Sequence, residues 1–194
     1  MFLCGAGGHA KVVIEILEAN HVCIEGIFET DETITTVFDY PVFHTSELKG
    51  PLIICIGNNQ KRKIISSSVN IEFGQAIHPS ATVSKRANIG VGTVIMQGAI
   101  IQAYAEIGKH CIINTGSSLD HECVVNDFVH ISPHATLCGN VKVGEGSWIG
   151  AGATILPGVR IGQWSIVGAG SVVTSNIPDN VVAYGSPCKI IRKT

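Results

Sequence analysis

The sequence contains few aromatic residues and no long apolar run. Aromatic side chains make up only 6% of its 194 residues although 45% are hydrophobic, so its core must be built mainly from aliphatic side chains. No apolar segment approaches the roughly 18 residues that span a membrane. The glycines between Gly5 and Gly8 interrupt the first apolar segment, which argues against a signal peptide. The formal charge of −2 provides no basic surface for nucleic acid. We therefore predict that the protein has no membrane span and no nucleic-acid partner.

The seven cysteines are an odd number and lack the spacing of metal ligands. Cys55, Cys111 and Cys123 stand at positions where a small buried residue is expected. We therefore interpret the cysteines as reduced core thiols of a cytoplasmic protein, and we expect neither a disulfide framework nor a metal site.

The dominant pattern is a repeat of six residues that runs from Ile77 to Val173. Every sixth position in this stretch is Ile, Leu or Val, which gives seventeen consecutive aliphatic residues with no slip in register. The fourth residue after each aliphatic is usually small, and glycine often follows the aliphatic directly, as at Gly90 and Gly108. Neither a helix nor an ordinary strand has a period of six. The pattern predicts a solenoid of triangular coils, in which each hexapeptide forms one short strand and one corner.

The repeat resembles that of the hexapeptide-repeat acyltransferases. This resemblance implies a left-handed parallel β-helix over residues 76–194, which includes a C-terminal tail that we expect to be irregular from residue 177. The handedness rests on the resemblance alone, because the general chirality of parallel crossovers would favour a right-handed helix.

Residues 1–75 have a different pattern and predict a small Rossmann-like α/β domain with βαβ character. Apolar runs alternate here with a segment of helical spacing, and segment 39–48 is predicted to be a loop. The predicted strands are residues 2–4, 22–28 and 52–56, and the predicted helices are residues 11–19 and 60–67.

A glycine turn stands between the first predicted strand and the first helix. Gly5, Gly7 and Ala10 fit the pattern G-x-G-x-x-A, which directs backbone N–H groups and a helix N-terminus at a phosphate. A domain of about 75 residues is too short for both halves of a dinucleotide-binding fold. A single nucleotide or a nucleotide-sugar is therefore favoured over NAD, and a plain tight turn is the alternative. His9 either contacts the sugar or diphosphate or merely begins the helix.

Three short motifs and the hexapeptide array resemble one family over nearly the whole chain. The motifs are GAGGH (5–9), IGNN (56–59) and RK (62–63). The family includes the bacterial UDP-4-amino-sugar N-acetyltransferases of the PglD type and the sialic acid O-acetyltransferases of the NeuD type. The resemblance implies an acetyl-CoA co-substrate and a first domain that holds a nucleotide-sugar, although Glu29-Thr30-Asp31 replaces the acidic pair usual after the second strand. The residues expected to bind the substrate are Gly7, Gly8, His9, Asp31, Asn58 and Asn59.

The strongest local signal is the pair His121-Glu122. Leu119 and Cys123 point inward by repeat phase, so the pair between them is predicted to lie at an outward corner. An imidazole there is placed to act as a base, and a neighbouring carboxylate can fix its tautomer. The resemblance implies that His121 is the general base and Glu122 its partner. Because Cys123 points inward, an acyl-cysteine route is not expected.

The resemblance also implies the residues that hold the acetyl donor. Gly139 matches a glycine whose N–H faces the thioester oxygen, and His130 matches a histidine near the donor carbonyl. His110 and His134 are expected to be solvated corner residues. The residues expected to contact acetyl-CoA are Asn114, His130, Gly139, Lys189 and Arg192.

A smooth solenoid without inserted loops cannot enclose two substrates by itself. A neighbouring subunit is expected to complete the site, in agreement with the trimers of the family. We therefore predict a homotrimeric, acetyl-CoA-dependent N-acetyltransferase of a UDP-linked 4-amino sugar. O-acetylation of sialic acid or a related sugar is the alternative within the family. A non-catalytic solenoid that serves as a binding scaffold, and a nicotinamide-dependent enzyme, are the alternatives of other classes.

Overall fold

The computed structural model describes all 194 residues, which form an α/β unit and a β-solenoid. Neither helix has the length and hydrophobicity that crossing a membrane would take. The elements of the α/β unit, in chain order, are β1 (Phe2–Cys4), α1 (Gly8–Ala19), β2 (Gly26–Phe28), β3 (Thr36–Val37), β4 (Tyr40–Phe43), β5 (Leu52–Ile54) and α2 (Asn59–Ser68). The strands lie in the order β3-β4-β2-β1-β5, and all neighbours are parallel except β3 and β4. Val13, Ile16 and Leu17 of α1 are buried because their helical spacing places them on one face.

Segment 39–48 is not wholly the loop that the sequence predicted, because it contains β4. Val42 and Phe43 pair in parallel register with Ile27 and Phe28 of β2. The Phe43 ring fills the space that a Cβ at Gly26 would occupy. A proline and two exposed positions within β4 make it unlike a buried strand, which explains why the pattern missed it.

The solenoid follows the six-residue period. Each hexapeptide contributes a two-residue strand and a corner, and strands three hexapeptides apart pair in parallel, as Ile101 does with Leu119. The second residue of each strand is the aliphatic of the repeat and faces the core. The strands are β6 (Ala76–Ile77), β7 (Thr82–Val83), β8 (Asn88–Ile89), β9 (Val94–Ile95), β10 (Ile100–Ile101), β11 (Glu106–Ile107), β12 (Ile112–Ile113), β13 (Ser118–Leu119), β14 (Val124–Val125), β15 (His130–Ile131), β16 (Thr136–Leu137), β17 (Lys142–Val143), β18 (Trp148–Ile149), β19 (Thr154–Ile155), β20 (Arg160–Ile161), β21 (Ile166–Val167) and β22 (Val172–Val173).

Three sheets form the sides of the triangular coils. The docking face contains β6, β9, β12, β15, β18 and β21, the uncharged face contains β7, β10, β13, β16, β19 and β22, and the third face contains β8, β11, β14, β17 and β20. The third face carries Glu106, Lys142 and Arg160 at outward positions. The outward residues of the uncharged face are Thr82, Ile100, Ser118, Thr136, Thr154 and Val172.

The α/β unit packs on the docking face through an apolar interface. Ala76, Val94 and Ile112 of that face are buried in the same cluster as Val13 and Ile16 of α1. Since the two units share this cluster, the position of the α/β unit on the coils is fixed by burial of apolar surface.

The C-terminal tail forms a hairpin rather than the predicted irregular segment. Beyond the last repeat, Ile177 still pairs with Ile161, and β23 (Val181–Gly185) joins the docking-face sheet beside β21. The final strand, β24 (Cys188–Lys193), returns antiparallel to β23. The hexapeptide period ends because this hairpin, and not another coil, covers the end of the solenoid.

Candidate active site

Three turns of the α/β unit lie at the same edge of its sheet. They follow β1, β2 and β5, and the carboxyl ends of neighbouring parallel strands meet at one edge. The glycine turn after β1 leads into α1, whose N-cap Gly7 provides no side-chain cap. Gly7 and Gly8 are exposed, and a Cβ at either position would meet no atom within 4 Å. The N-terminus of α1 is therefore open to an anionic ligand.

The turn after β2 places Glu29, rather than Asp31, against the glycine turn. Glu29 Oε2 accepts a hydrogen bond from Ala6 N–H (2.8 Å), and its Oε1 accepts one from Thr30 N–H (2.7 Å). Burial raises the pKa of this carboxyl, but the backbone hydrogen bonds outweigh burial, so its pKa lies below the usual range. Asp31 is exposed, and its Oδ1 accepts hydrogen bonds from Thr33. Sequence reasoning assigned Asp31 to the substrate and missed the contact of Glu29.

Arg62 ties the turn after β5 to the solenoid and is only 1% exposed. Its Nε donates to His110 O (3.0 Å), and its Nη2 donates to Phe128 O (3.0 Å) and Asn59 Oδ1 (2.9 Å). Its Nη1 donates to the carbonyls of residues 56 and 57. Every guanidinium N–H therefore has a partner, and the partners come from both units. Burial lowers the pKa of Arg62 to about 10, so the group stays charged at neutral pH.

Asn58 and Asn59 both stand at the start of α2, yet their amides have different partners. Asn58 Oδ1 caps the helix by accepting from Lys61 N–H (2.9 Å), and its exposed Nδ2 donates no hydrogen bond within the chain. Asn59 Nδ2 donates to Gly146 O (2.9 Å) and Ser147 O (3.2 Å) of the solenoid. Asn59 is thus engaged in joining the two units, whereas the Asn58 amide is free for a ligand.

Asn114 and His130 are in contact beside the α/β unit, and His9 lies near enough for its charge to affect His130. Asn114 Oδ1 accepts from Thr115 N–H (2.8 Å), which directs its Nδ2 to His130 Nε2 (3.1 Å). Burial, and then the charge of Arg62, lowers the pKa of His130 to about 3 and that of His9 to about 4. Both rings are therefore neutral at pH 7. Because His130 Nε2 accepts a hydrogen bond, the proton of this ring lies on Nδ1.

A groove of about 1030 Å³ adjoins this cluster between α2 and the docking face. Trp148 stacks on His130, with ring centroids 5.8 Å apart and planes 6° from parallel. Trp164 also lines the groove, and Lys63 Nζ lies 5.3 Å from its ring centroid. Lys63 forms an ion pair with Glu145. The groove thus combines two indoles with a charge that is already paired.

His121 and Glu122 lie at the corner between the uncharged face and the third face, as the repeat phase predicts. Their side chains are 59% and 63% exposed, and His121 Nδ1 lies 3.2 Å from Glu122 Oε2. The backbone of the turn is fixed in part by Asp120, whose Oδ1 accepts from His121 N–H (2.7 Å). The imidazole lies over Gly139 of the next coil, where a Cβ would come within 2.6 Å of His121 Cε1 and Nε2. Gly139 therefore provides the space that the ring occupies.

The histidines of the two groups lie on different sides of one chain. His121 stands at the corner opposite the docking face, whereas His130 belongs to that face, half a coil further along. The structure brings Gly139 to His121 and Asn114 to His130, but it does not bring these two groups together within a single chain.

Two basic residues and one histidine lie outside both groups. Lys189 and Arg192 are exposed on β24 and belong to neither group. His110 is not the solvated corner residue that the sequence predicted, because the α/β unit covers it and leaves it 4% exposed. Its ring stacks on Phe128 at 5.3 Å and meets the edge of Phe73 at 4.5 Å.

Comparison with known proteins agrees with this geometry. Residues 1–69 match the model of the PglD N-terminal domain, and residues 140–175 match the model of the bacterial transferase hexapeptide (six repeats). PerB from Caulobacter crescentus, solved in complex with CoA and GDP-perosamine, is 38% identical, with 98% of this chain and 96% of PerB covered and a TM-score of 0.91. The chain belongs to the PglD-type hexapeptide-repeat sugar acetyltransferases.

Two further structures resemble this sugar acetyltransferase over 98% of both chains. The acetyltransferase domain of PglB from Neisseria gonorrhoeae, solved in complex with acetyl coenzyme A, is 36% identical with a TM-score of 0.92. WeeI from Acinetobacter baumannii is 25% identical with a TM-score of 0.89. The predicted fold, an α/β domain followed by a left-handed parallel β-helix, is thus confirmed. A search among curated proteins found no match.

Three residues of this acetyltransferase site escaped sequence analysis. Arg62 belongs to a quoted motif, but its bonds to the solenoid depend on how the two units dock. In the sequence, Glu29 marks only a departure from the family pattern. Trp148 could have been identified from the sequence. A large aromatic side chain at the outward position of a repeat strand is unusual among the small residues that flank it in the sequence.

Proposed function

We propose that this acetyltransferase transfers the acetyl group of acetyl-CoA to the amine of a nucleotide-linked 4-amino sugar. The observation that carries the proposal is the exposed His121–Glu122 pair, held over Gly139 at a rigid corner. An imidazole with a carboxylate on one nitrogen and solvent on the other is suited to removing a proton. PerB, which the chain resembles, was solved with CoA and with an amino sugar attached to GDP.

The α/β domain, residues 1–75, is proposed to hold the nucleotide-sugar. The diphosphate would lie at the N-terminus of α1, where Gly7 and Gly8 leave room and no side-chain cap competes. Neutral His9, with a buried Nε2 that has no partner, would donate to it or to the sugar. The free amide of Asn58 would donate to the nucleotide-sugar, and the exposed carboxylate of Asp31 would accept from the nucleoside. The PglD-type resemblance favours UDP, and the similarity to PerB favours GDP.

The proposed reaction is direct transfer. The sugar amine attacks the thioester carbon while His121 Nε2 takes its proton, and Glu122 stabilises the imidazolium through Nδ1. The developing oxyanion accepts a hydrogen bond from Gly139 N–H, which donates none within the chain. When the tetrahedral intermediate collapses, the C–S bond breaks and the proton passes from His121 to the departing sulfur. The products are the N-acetyl sugar and coenzyme A.

The complete site is proposed to form between subunits of a homotrimer. His121 and His130 lie on opposite sides of one chain, so a neighbour's corner is required if both are to reach one acetyl group. His130 Nδ1–H would then donate to the donor carbonyl beside Asn114, and Lys189 and Arg192 would contact coenzyme A phosphates. The uncharged face supports the assembly, because none of the outward residues on its strands is charged and burying a charge is costly.

The test is release of free thiol from acetyl-CoA with UDP- and GDP-linked 4-amino sugars, CMP-sialic acid and free sialic acid. His121→Ala should lower kcat on the nucleotide-amino sugar by roughly 10²-fold or more, as expected for a general base. His134→Ala is the matched control, because this exposed histidine also lies over a glycine of a neighbouring coil. It should stay within about twofold of the wild type.

Folded wild-type protein that acetylates none of the nucleotide-amino sugars would overturn the proposal. Turnover of sialic acid alone would assign the protein to the O-acetyltransferases, since the same base would serve a hydroxyl. A stable monomer in light scattering at assay concentration would contradict the trimer.

A further inference from the structure

The groove beside His130 contains both tryptophans of the chain, and neither has a role in the proposed reaction. Trp148 stands outward on β18 with 46% of its surface exposed, which is costly for so large an apolar side chain. Its indole is nevertheless fixed, because it stacks on His130 and its Nε1–H donates to Ser132 Oγ (2.7 Å). A rigid, exposed aromatic face loses little entropy when a ligand packs on it.

The groove offers hydrogen-bonding groups but no free charge. Lys63 is the only charged side chain among its lining residues, and it is paired with Glu145. Asn58, Asn180 and Ser67 supply amides and a hydroxyl along the walls. A phosphate would have to compete with Glu145 for the one lysine of the groove. A sugar ring, which has an apolar face and a rim of hydroxyls, matches an aromatic floor with polar walls.

The position of Trp148 relative to the reaction centre indicates which ring of the nucleotide-sugar it binds. Trp148 stacks on His130, which the proposed function puts at the donor carbonyl. The reacting amine is carried by the sugar, whereas the nucleobase is separated from it by two phosphates and a ribose. We infer that Trp148 binds the apolar face of the amino sugar. This inference rests on the proposed function.

The first test compares the steady-state kinetics of Trp148→Ala, Trp148→Phe and the control Trp164→Phe. Trp148→Ala should raise KM for the nucleotide-amino sugar about tenfold, because the stacking surface is lost, and Trp148→Phe should raise it less than about threefold. KM for acetyl-CoA should stay within about twofold. A rise in KM for the sugar with KM for acetyl-CoA unchanged is a split that loss of stability alone would not cause.

The second test uses fluorescence. Trp164→Phe leaves Trp148 as the single tryptophan, and its emission should change with the nucleotide-amino sugar but not with the nucleoside diphosphate or coenzyme A alone. A change with the diphosphate would assign the groove to the nucleobase, and a change with coenzyme A would assign it to the coenzyme. Either result would overturn the inference.

The two proposals fail in distinguishable ways. An active Trp148→Ala enzyme with unchanged KM for the nucleotide-amino sugar would refute the role of Trp148 and leave the acetyltransferase activity intact. Absence of turnover by the wild type with every amino sugar would refute the proposed function and, with it, the inference.

Discussion

Replacement of Arg62 by methionine should destabilise the protein by about 3 kcal/mol. Methionine keeps the apolar stem but removes the five N–H donors of a side chain that is 1% exposed. The two acceptors on the solenoid, His110 O and Phe128 O, lie in the buried part of this network. At about 1–3 kcal/mol for each buried acceptor left unpaired, they account for about 2–6 kcal/mol. Loss of the buried cation offsets part of this, because its desolvation cost disappears as well.

Urea unfolding at pH 7 measures this change, with Lys63→Met as the matched control on the same helix. Lys63 is 44% exposed, so loss of its ion pair with Glu145 should cost no more than about 1 kcal/mol. Histidine titration by NMR gives a second readout. The positive charge of Arg62 lowers the pKa of His9 and His130, so both values should rise in Arg62→Met. A loss below about 1 kcal/mol, or unchanged histidine pKa values, would refute the assignment of Arg62 as the charged link between the units.

Two further outcomes follow from the geometry of single side chains. Gly139→Ala should lower kcat roughly 10²-fold because its Cβ would displace the His121 ring. Gly116→Ala would displace the His134 ring and, at a φ of +63°, add backbone strain, yet it should leave kcat of the folded enzyme within about twofold. Equal losses of kcat in steady-state assays would contradict this. Burial, and then the charge of Arg62, lowers the pKa of His110 from 6.5 to about 4. His110 therefore binds a proton near pH 6.5 in the unfolded chain but only near pH 4 in the folded chain. The free energy of unfolding consequently falls as pH drops below about 6.5, by about 2 kcal/mol between pH 7 and pH 5. His110→Phe should remove that part of the pH dependence in urea unfolding, and an unchanged slope would show that other groups cause it.

The parts of this protein that sequence reasoning predicted well depend on local geometry. The six-residue period places each aliphatic inside and each corner outside, so the outward position of His121 and the burial of Cys123 could be read without a structure. The same holds for the strand, glycine turn and helix at the N-terminus, where spacing along a few residues sets the element. The departures, β4 and the C-terminal hairpin, lie outside the repeat, and the exposed positions in β4 and β24 obscure the pattern of a buried strand.

The sequence by itself determined a coiled solenoid, an α/β unit with a glycine turn, and an outward histidine with a neighbouring carboxylate. Only the tertiary structure decided where the α/β unit docks, and that contact buries His110, engages Arg62 with two solenoid carbonyls and forms the groove beside Trp148. His121 and His130 lie on opposite sides of one chain, as their separation of half a coil predicts, so one site can contain both only between subunits. The physical reason is that docking depends on complementary apolar surfaces far apart in the chain, whereas the repeat depends on residues six positions apart.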